Sequence, residues 1–183
     1  MDRRTPAAVS KSRYVSGLQC DKQLWTQVHA RESIPPIDAA TQAIFDQGTE
    51  VGQLATELFP RGIEIGRKEF RWKLVVPATQ KALSQRRPLF EAAFRAGGAA
   101  CRVDVLDPVE NDAWDLYEIK SSTSLKDVHY NDVALQAYVL QKAGLEIRNC
   151  YLTHINNQYV RSGPLEISPL FVHQDITEQV NAR

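Results

Sequence analysis

Asp104, Glu118 and Lys120 are the residues whose types and spacing suit chemistry. Two carboxylates offer hard oxygen ligands, and Mg²⁺ usually takes one or two carboxylates together with water and substrate phosphate. An ion held this way can polarise a phosphoryl oxygen and activate a water. An ammonium two residues from the second acid can orient that water or stabilise developing charge. The chemistry that fits is metal-assisted hydrolysis of a phosphate ester.

The stretch 101–121, CRVDVLDPVENDAWDLYEIKS, must position these groups. Cys101, Val103 and Val105 alternate with Arg102, Asp104 and Leu106, the two-residue period of a strand. A turn-prone run from Asp107 to Asp112 follows, and alternation resumes from Trp114 to Lys120. Centring the turn on Asn111 sets Asp104 opposite Glu118, where facing Cβ atoms lie roughly 4.5–5.5 Å apart. Lys120 falls on the same face as Glu118. The same pattern also describes a surface hairpin with a Glu/Lys pair. Coverage of this face decides between the two, because unpaired carboxylates are costly to bury.

The chain has 183 residues, enough for a single domain spanning 1–183 and little room for a second. No apolar run reaches the roughly 18 residues of a membrane span, and the charged N-terminus lacks the apolar core of a secretory signal. Cys20, Cys101 and Cys150 lie far apart in an odd count without a CxxC pair, which argues against a disulfide framework and for a reducing cytoplasm. Net charge is zero. Its distribution is uneven: residues 61–87 hold eight Lys/Arg, Arg67, Lys68, Arg71 and Lys73 among them, against Glu64 and Glu69, while residues 104–118 hold six acids and no base. A basic segment beside an acidic pocket suits a polyanion near metal ions, and a solvated basic surface fits the first half equally well.

Along the chain, residues 1–12 are expected to be poorly ordered. Asp21 is placed to cap a short helix to about His29, which Ser33-Ile34-Pro35-Pro36 breaks. A longer helix runs from about Asp38 to Leu58 on the apolar stripe Ala43, Ile44, Val51, Leu54, Ala55 and Leu58. Short strands are expected at 62–66 and 70–73, a helix at 77–86 with Pro77 in its first turn, and a strand at 88–95 that turns at Gly97-Gly98 into the hairpin. The hydroxyl run Ser121 to Ser124 suits capping of the next helix, or contact with phosphate. That helix spans about 126–143, carries His129, Asp132 and Gln136 on one polar face, and ends at Gly144. Strands at 149–155 and 159–161 follow, with a short helix after Asp175 or Thr177.

The order helix, three-stranded meander with Asp then Glu-x-Lys, helix with Gln, strand resembles the PD-(D/E)XK nuclease superfamily, and within it the RecB-like exonuclease branch. Asp104 matches the acid of the second core strand, Glu118-Ile119-Lys120 the (D/E)-x-K motif, and Gln136 with Tyr138 the Gln…Tyr motif of the following helix. The resemblance covers about residues 10–161. It implies an α/β fold with a restriction-endonuclease-like core, a mixed central β-sheet flanked by α-helices. It implies that Asp104, Glu118 and the carbonyl of Ile119 bind Mg²⁺ or Mn²⁺, that Lys120 positions or activates water, and that Gln136 orients the lysine or the DNA end. The branch usually carries a His four residues after a Gly in the first long helix. The matching position after Gly48 is Gly52, leaving Glu50, Glu57 or Glu91 as the acids that could stand in as a further metal ligand. Tyr138 follows Gln136 by two residues, where the family leaves four.

A second likeness concerns Cys20. The run Ser12-Arg13-Tyr14 through Cys20 to Leu24-Trp25 resembles the N-terminal segment of RecB-like nucleases, CRISPR-adaptation exonucleases among them, that hold an iron–sulfur cluster on four thiolates. The chain lacks the other three clustered cysteines, so a cluster is not expected here and Cys20 better suits a small buried packing site at a helix start. The stop at Ala182-Arg183 leaves room for further domains or partner proteins. His29, His129, His154 and His173 lack metal-ligand spacing, and neither a P-loop nor a nucleophile elbow is present. Trp25, Trp72 and Trp114 read as core residues before base-stacking ones. The sequence therefore points to a metal-dependent deoxyribonuclease, an exonuclease by resemblance, with Arg67, Lys68, Arg71, Lys73, Ser121 and Tyr138 as candidate contacts to single- or double-stranded DNA. The rival is a non-catalytic nucleic-acid-binding or assembly module on the same scaffold.

Overall fold

The computed structural model describes residues 8–66 and 70–183. Its centre is a mixed sheet of seven strands: β1 (Val9–Ser10), β2 (Ile63–Glu64), β3 (Leu89–Ala96), β4 (Ala99–Pro108), β5 (Trp114–Lys120), β6 (Ile147–Ile155) and β7 (Phe171–Asp175). The order across the sheet is β2-β3-β4-β5-β6-β7, and β1 lies against the start of β4. Strands β3, β4 and β5 form an antiparallel meander. The helix α5 (Asp127–Lys142) then carries the chain over to β6, which runs parallel to β5. A parallel pair requires such a crossover, because its two strands start at the same end of the sheet.

Local chemistry explains the joints. Gly97 and Gly98 both adopt positive φ, 59° and 77°, the conformation of a two-residue turn whose twist matches the flanking strands. A side chain at Gly97 would also strike Tyr138, whose hydroxyl donates to the Gly97 carbonyl at 3.1 Å. The β4–β5 turn is centred on Asn111, which with Asp112 takes positive φ, and the register Val105↔Tyr117 follows from it. Helix α5 ends at Gly144, φ 90°.

The sheet is covered on both faces. Val133, Ala137 and Leu140 of α5 pack with Phe94, Val103, Leu116 and Leu152 in the main core. Helix α4 (Trp72–Leu83) joins the same layer through Ala82, and α7 (Thr177–Asn181) through Val180. Helix α3 (Ala39–Ala55), capped by Asp38 accepting from the Thr41 N–H at 2.7 Å, covers the opposite face near Ile119 and Phe171. Only its C-terminal part is buried, at Val51 and Ala55. Helices α1 (Lys11–Gln19) and α2 (Asp21–His29) pack together, α1 also against α5 and β4, and α6 (Ile167–Leu170) leads into β7.

Several expectations are corrected. Residues 8–12 are not a loose tail: Val9 and Ser10 pair with Ala99 and Ala100, and Lys11 opens α1. Residues 70–73 are not a strand. Trp72 and Lys73 open α4 instead, whose buried Val75, Thr79 and Ala82 recur at helical spacing. Pro77 sits inside this helix at an exposed position, where water can satisfy the carbonyl that proline leaves unpaired. Residues 159–161 form no strand. The Ser121–Ser124 run does not cap α5: Lys126 is the capping residue, its N–H donating to His129 Nδ1. Trp114 is buried, whereas Trp25 is 58% exposed.

The buried Thr79 hydroxyl accepts the Ala93 N–H of β3 at 3.0 Å, tying α4 to the sheet. Thr79→Val keeps the shape and orphans that N–H, so it should cost about 1–3 kcal/mol in urea unfolding, with Thr79→Ser recovering most of the loss.

Candidate active site

Continuing the register one residue beyond Val105↔Tyr117 brings Asp104 opposite Glu118. Asp104 Oδ2 accepts the Ile119 N–H at 2.7 Å, which locks its carboxyl against the backbone of β5. Glu118 is 2% exposed and faces α5. Its Oε2 accepts from Gln136 Nε2 at 2.7 Å, and its Oε1 from Lys120 Nζ. Lys120 Nζ also reaches Asp132 Oδ2 at 2.9 Å. The structure thus brings together Asp104, Glu118, Ile119, Lys120 and Gln136.

Two further residues complete the cluster. Lys11 Nζ lies 3.0 Å and 3.2 Å from the two Glu118 oxygens and 3.4 Å from Asp132 Oδ1. Asp132, one helical turn before Gln136, is 7% exposed. The helical spacing of His129, Asp132 and Gln136 carried a signal for Asp132. Lys11 carried none, since it lies in a segment expected to be loose.

The cluster sets three carboxylates against two ammonium groups. Burial works against the Glu118 charge, but Lys11 and Lys120 overcome it and hold its carboxylate well below the usual range. Burial, with Glu118 next to it, pushes the Asp104 carboxyl up to about 7. Burial and Glu118 likewise raise Asp132. Lys11 and Lys120 lose hydration, yet the surrounding carboxylates hold both above the ordinary lysine value. His129 is pushed down by burial and by Lys120, which favours the neutral ring. Three carboxylates thus face two ammonium groups, and the imbalance falls on Asp104, which holds its proton to higher pH than an ordinary aspartate.

Other candidate residues stand elsewhere. Glu91 is not part of the cluster: its Oε2 lies 2.8 Å from Arg102 Nε, without hydrogen-bond alignment, and its backbone sits at φ 56°. Tyr138 is exposed on the outward side of α5 and bonds Gly97. Ser121 follows Lys120 at the strand end, half-buried. Arg71 and Lys73 are exposed at the start of α4, and Arg67 and Lys68 lie outside the described residues. Cys20 is exposed between α1 and α2, while Cys101 and Cys150 are buried.

For a divalent ion, the chain offers Asp104, Glu118 and the Ile119 carbonyl, the hard-oxygen set that Mg²⁺ or Mn²⁺ accepts with water and phosphate. Among the described residues no three His, Cys, Asp or Glu side chains gather into a closed cage. Gln136 Oε1 is buried without a hydrogen-bond donor. The donor set fits an open two-carboxylate site, provided that Lys11 gives up its hold on Glu118.

No family model matches the chain, and no curated protein matches it. Among solved structures it is similar to SSO0001, at 11% identity and a TM-score of 0.46, over 97% of this chain and 74% of that one. A likeness this distant assigns neither a family nor a function.

A raised carboxyl holds its proton longer in the fold than in the unfolded chain. Asp104 therefore lowers stability as pH climbs from the ordinary aspartate range towards about 7, with no further loss above. Asp104→Asn should raise the free energy of urea unfolding at pH 8 in chelator, by on the order of 1–3 kcal/mol after allowance for partial exposure, and leave it nearly unchanged at pH 4. A variant less stable than wild type at pH 8 would contradict the charge imbalance. Lys11→Met should act oppositely, lowering stability by roughly 1–3 kcal/mol in chelator, because three carboxylates then share one ammonium. Added Mn²⁺ should raise its melting temperature more than that of wild type.

Proposed function

We propose that the chain is a divalent-metal-dependent nuclease with a restriction-endonuclease-like core, hydrolysing phosphodiester bonds in DNA. The observation that carries the reading is the convergence of Asp104, Glu118, Lys120 and Gln136 from β4, β5 and α5 on a cluster short of positive charge. The antiparallel meander followed by a helix and a parallel strand also supports it.

Asp104, Glu118 and the Ile119 carbonyl would hold Mg²⁺ or Mn²⁺. Bound there, such an ion supplies Lewis acidity to the phosphoryl oxygen and lowers the pKa of water. Gln136 fixes Glu118 by holding Oε2, so the carboxylate needs little rearrangement as the reaction proceeds. Lys120 is an ammonium in this setting, because Glu118 and Asp132 stabilise its charge. Its role is therefore to donate: it orients the attacking water by hydrogen bonding and stabilises negative charge at the phosphoryl centre, and it does not take the proton. Asp132 anchors Lys120 from the other side.

Lys11 favours a second reading. Its ammonium already bonds both oxygens of Glu118, which suits a non-catalytic nucleic-acid-binding module on the same scaffold. Mutants separate the two. Asp104→Asn should lose Mn²⁺ binding in calorimetry and cleavage of labelled DNA together, while DNA affinity holds or rises. Lys120→Ala should keep Mn²⁺ binding and lose turnover by about 10²–10³-fold. Wild-type protein that binds DNA but leaves single- and double-stranded substrates uncut in both Mg²⁺ and Mn²⁺ would favour the non-catalytic module.

A further inference from the structure

Beside the carboxylate cluster lies a cavity of about 730 Å³, lined by Ser10, Ser12, Arg13, Arg31, Trp72 and Arg95 among others. Its charge is one-sided. Among the described residues, three arginines border it and no Asp or Glu does. Among the described residues, none of the Arg13, Arg31 or Arg95 side chains has a hydrogen-bond or ion-pair partner, whereas Arg102 pairs with Glu91 and Arg148 with Asp115. Unpaired, weakly hydrated planar cations facing one space suit phosphodiester oxygens.

The cavity also has an aromatic wall. Trp72 is half-buried, packed edge-on against Phe70 with ring centroids 4.8 Å apart, and the Arg102 guanidinium lies 5.0 Å from the Phe70 ring. A fixed indole next to arginines is the pairing on which a base stacks while its backbone is neutralised. Only an unstacked base can present its face in this way, because a duplex keeps its bases stacked on each other. The volume falls in the range of small-molecule pockets, about 300–1,000 Å³, which suits one or two nucleotides.

Position links this space to the chemistry. Ser10 and Ser12 line the cavity, and Lys11 between them bonds Glu118. The cavity and the carboxylate cluster therefore share one turn of chain at the start of α1. Trp72 reaches the same space from α4, Arg95 from β3 and Arg31 from the turn after α2, so several separate elements build its wall.

We propose that this cavity binds a single-stranded nucleic acid, with phosphates on Arg13, Arg31 and Arg95 and a base against Trp72, next to the carboxylates. The placement of substrate rests on the nuclease reading, but the binding itself does not. The test is fluorescence anisotropy in chelator with labelled oligo-dT and oligo-U of equal length and a duplex control, across a salt series. Wild-type protein should bind one or both single strands more tightly than the duplex, and the ratio of the two tells DNA from RNA. The Arg13→Ala/Arg31→Ala/Arg95→Ala variant should lose at least about tenfold in affinity, and its salt slope should fall by roughly 2, near 0.7 for each phosphate contact removed. Replacing the same three arginines by lysine should retain most of that slope. Trp72→Ala should weaken single-strand binding by about 5- to 100-fold without changing the slope, and Trp72→Phe should recover part of it. Circular dichroism confirms that each variant is folded. An unchanged slope in the triple Ala variant, or duplex bound as tightly as single strand by wild type, overturns the proposal. Cleavage assays with Mn²⁺ run in parallel keep the two ideas apart. Binding lost in the triple variant without cleavage by wild type retains the cavity and removes the nuclease. Cleavage with unaltered binding does the reverse.

Discussion

The buried carboxylate of Glu118 constrains everything around it. An ionised acid at 2% exposure survives only if its hydration is replaced by donors and cations. Three chain segments supply them: Lys11 from α1, Lys120 from the same strand, and Gln136 from α5. Each donor then has demands of its own. Lys120 takes Asp132 as its second partner, and Asp132 brings another negative charge under cover. The elements surrounding the sheet are thus fixed by polar satisfaction as well as by the packing of Phe94, Leu116, Leu140 and Leu152.

The cluster also illustrates why a buried ion network is weak support for stability. Each charge costs several kcal/mol to dehydrate, and attraction repays this only where geometry is good. Here Asp104 is left with a carboxyl near neutrality and Gln136 with an orphaned oxygen. A core built for stability alone would fill this space with aliphatic side chains, as the neighbouring layer between β4 and α5 does with Val103, Val133 and Leu140. Perturbed titration and incomplete hydrogen bonding in one place mark functional sites more often than structural ones.

The hairpin was legible in the sequence because its information is local. Alternation, a Pro- and Asn-containing turn and the count around Asn111 set the register of Asp104 against Glu118 without reference to the rest of the chain. The helical spacing of Asp132 and Gln136 was equally plain, although its polar face turned out to be the buried one. What the sequence hid depends on distant partners. Val75 and Val76 have strand propensity but lie in a helix, because α4 buries Val75, Thr79 and Ala82 on β3. Glu91 sits on β3, the first strand of the meander, yet its backbone at φ 56° and its pairing with Arg102 hold it out of the cluster. Lys11 looked like part of a charged tail, and only the pairing of Val9 and Ser10 with β4 gives it a fixed place.

That short pairing has a consequence for assembly. Lys11 and Glu118 are 107 positions apart, and the segment that holds Lys11 is joined to the sheet by two residues, Val9 and Ser10. Closing a loop of that length costs chain entropy that local helices and hairpins do not incur. During synthesis Lys11 leaves the ribosome long before its partner exists, so the meander must form with Glu118 still lacking one of its two cations. The charged cluster is therefore completed late, when the amino-terminal segment docks on a sheet that is already built. A nascent or partly folded chain carries the acids without their full complement of charge, and proteolysis or hydrogen exchange during refolding should find α1 protected after β4 and β5.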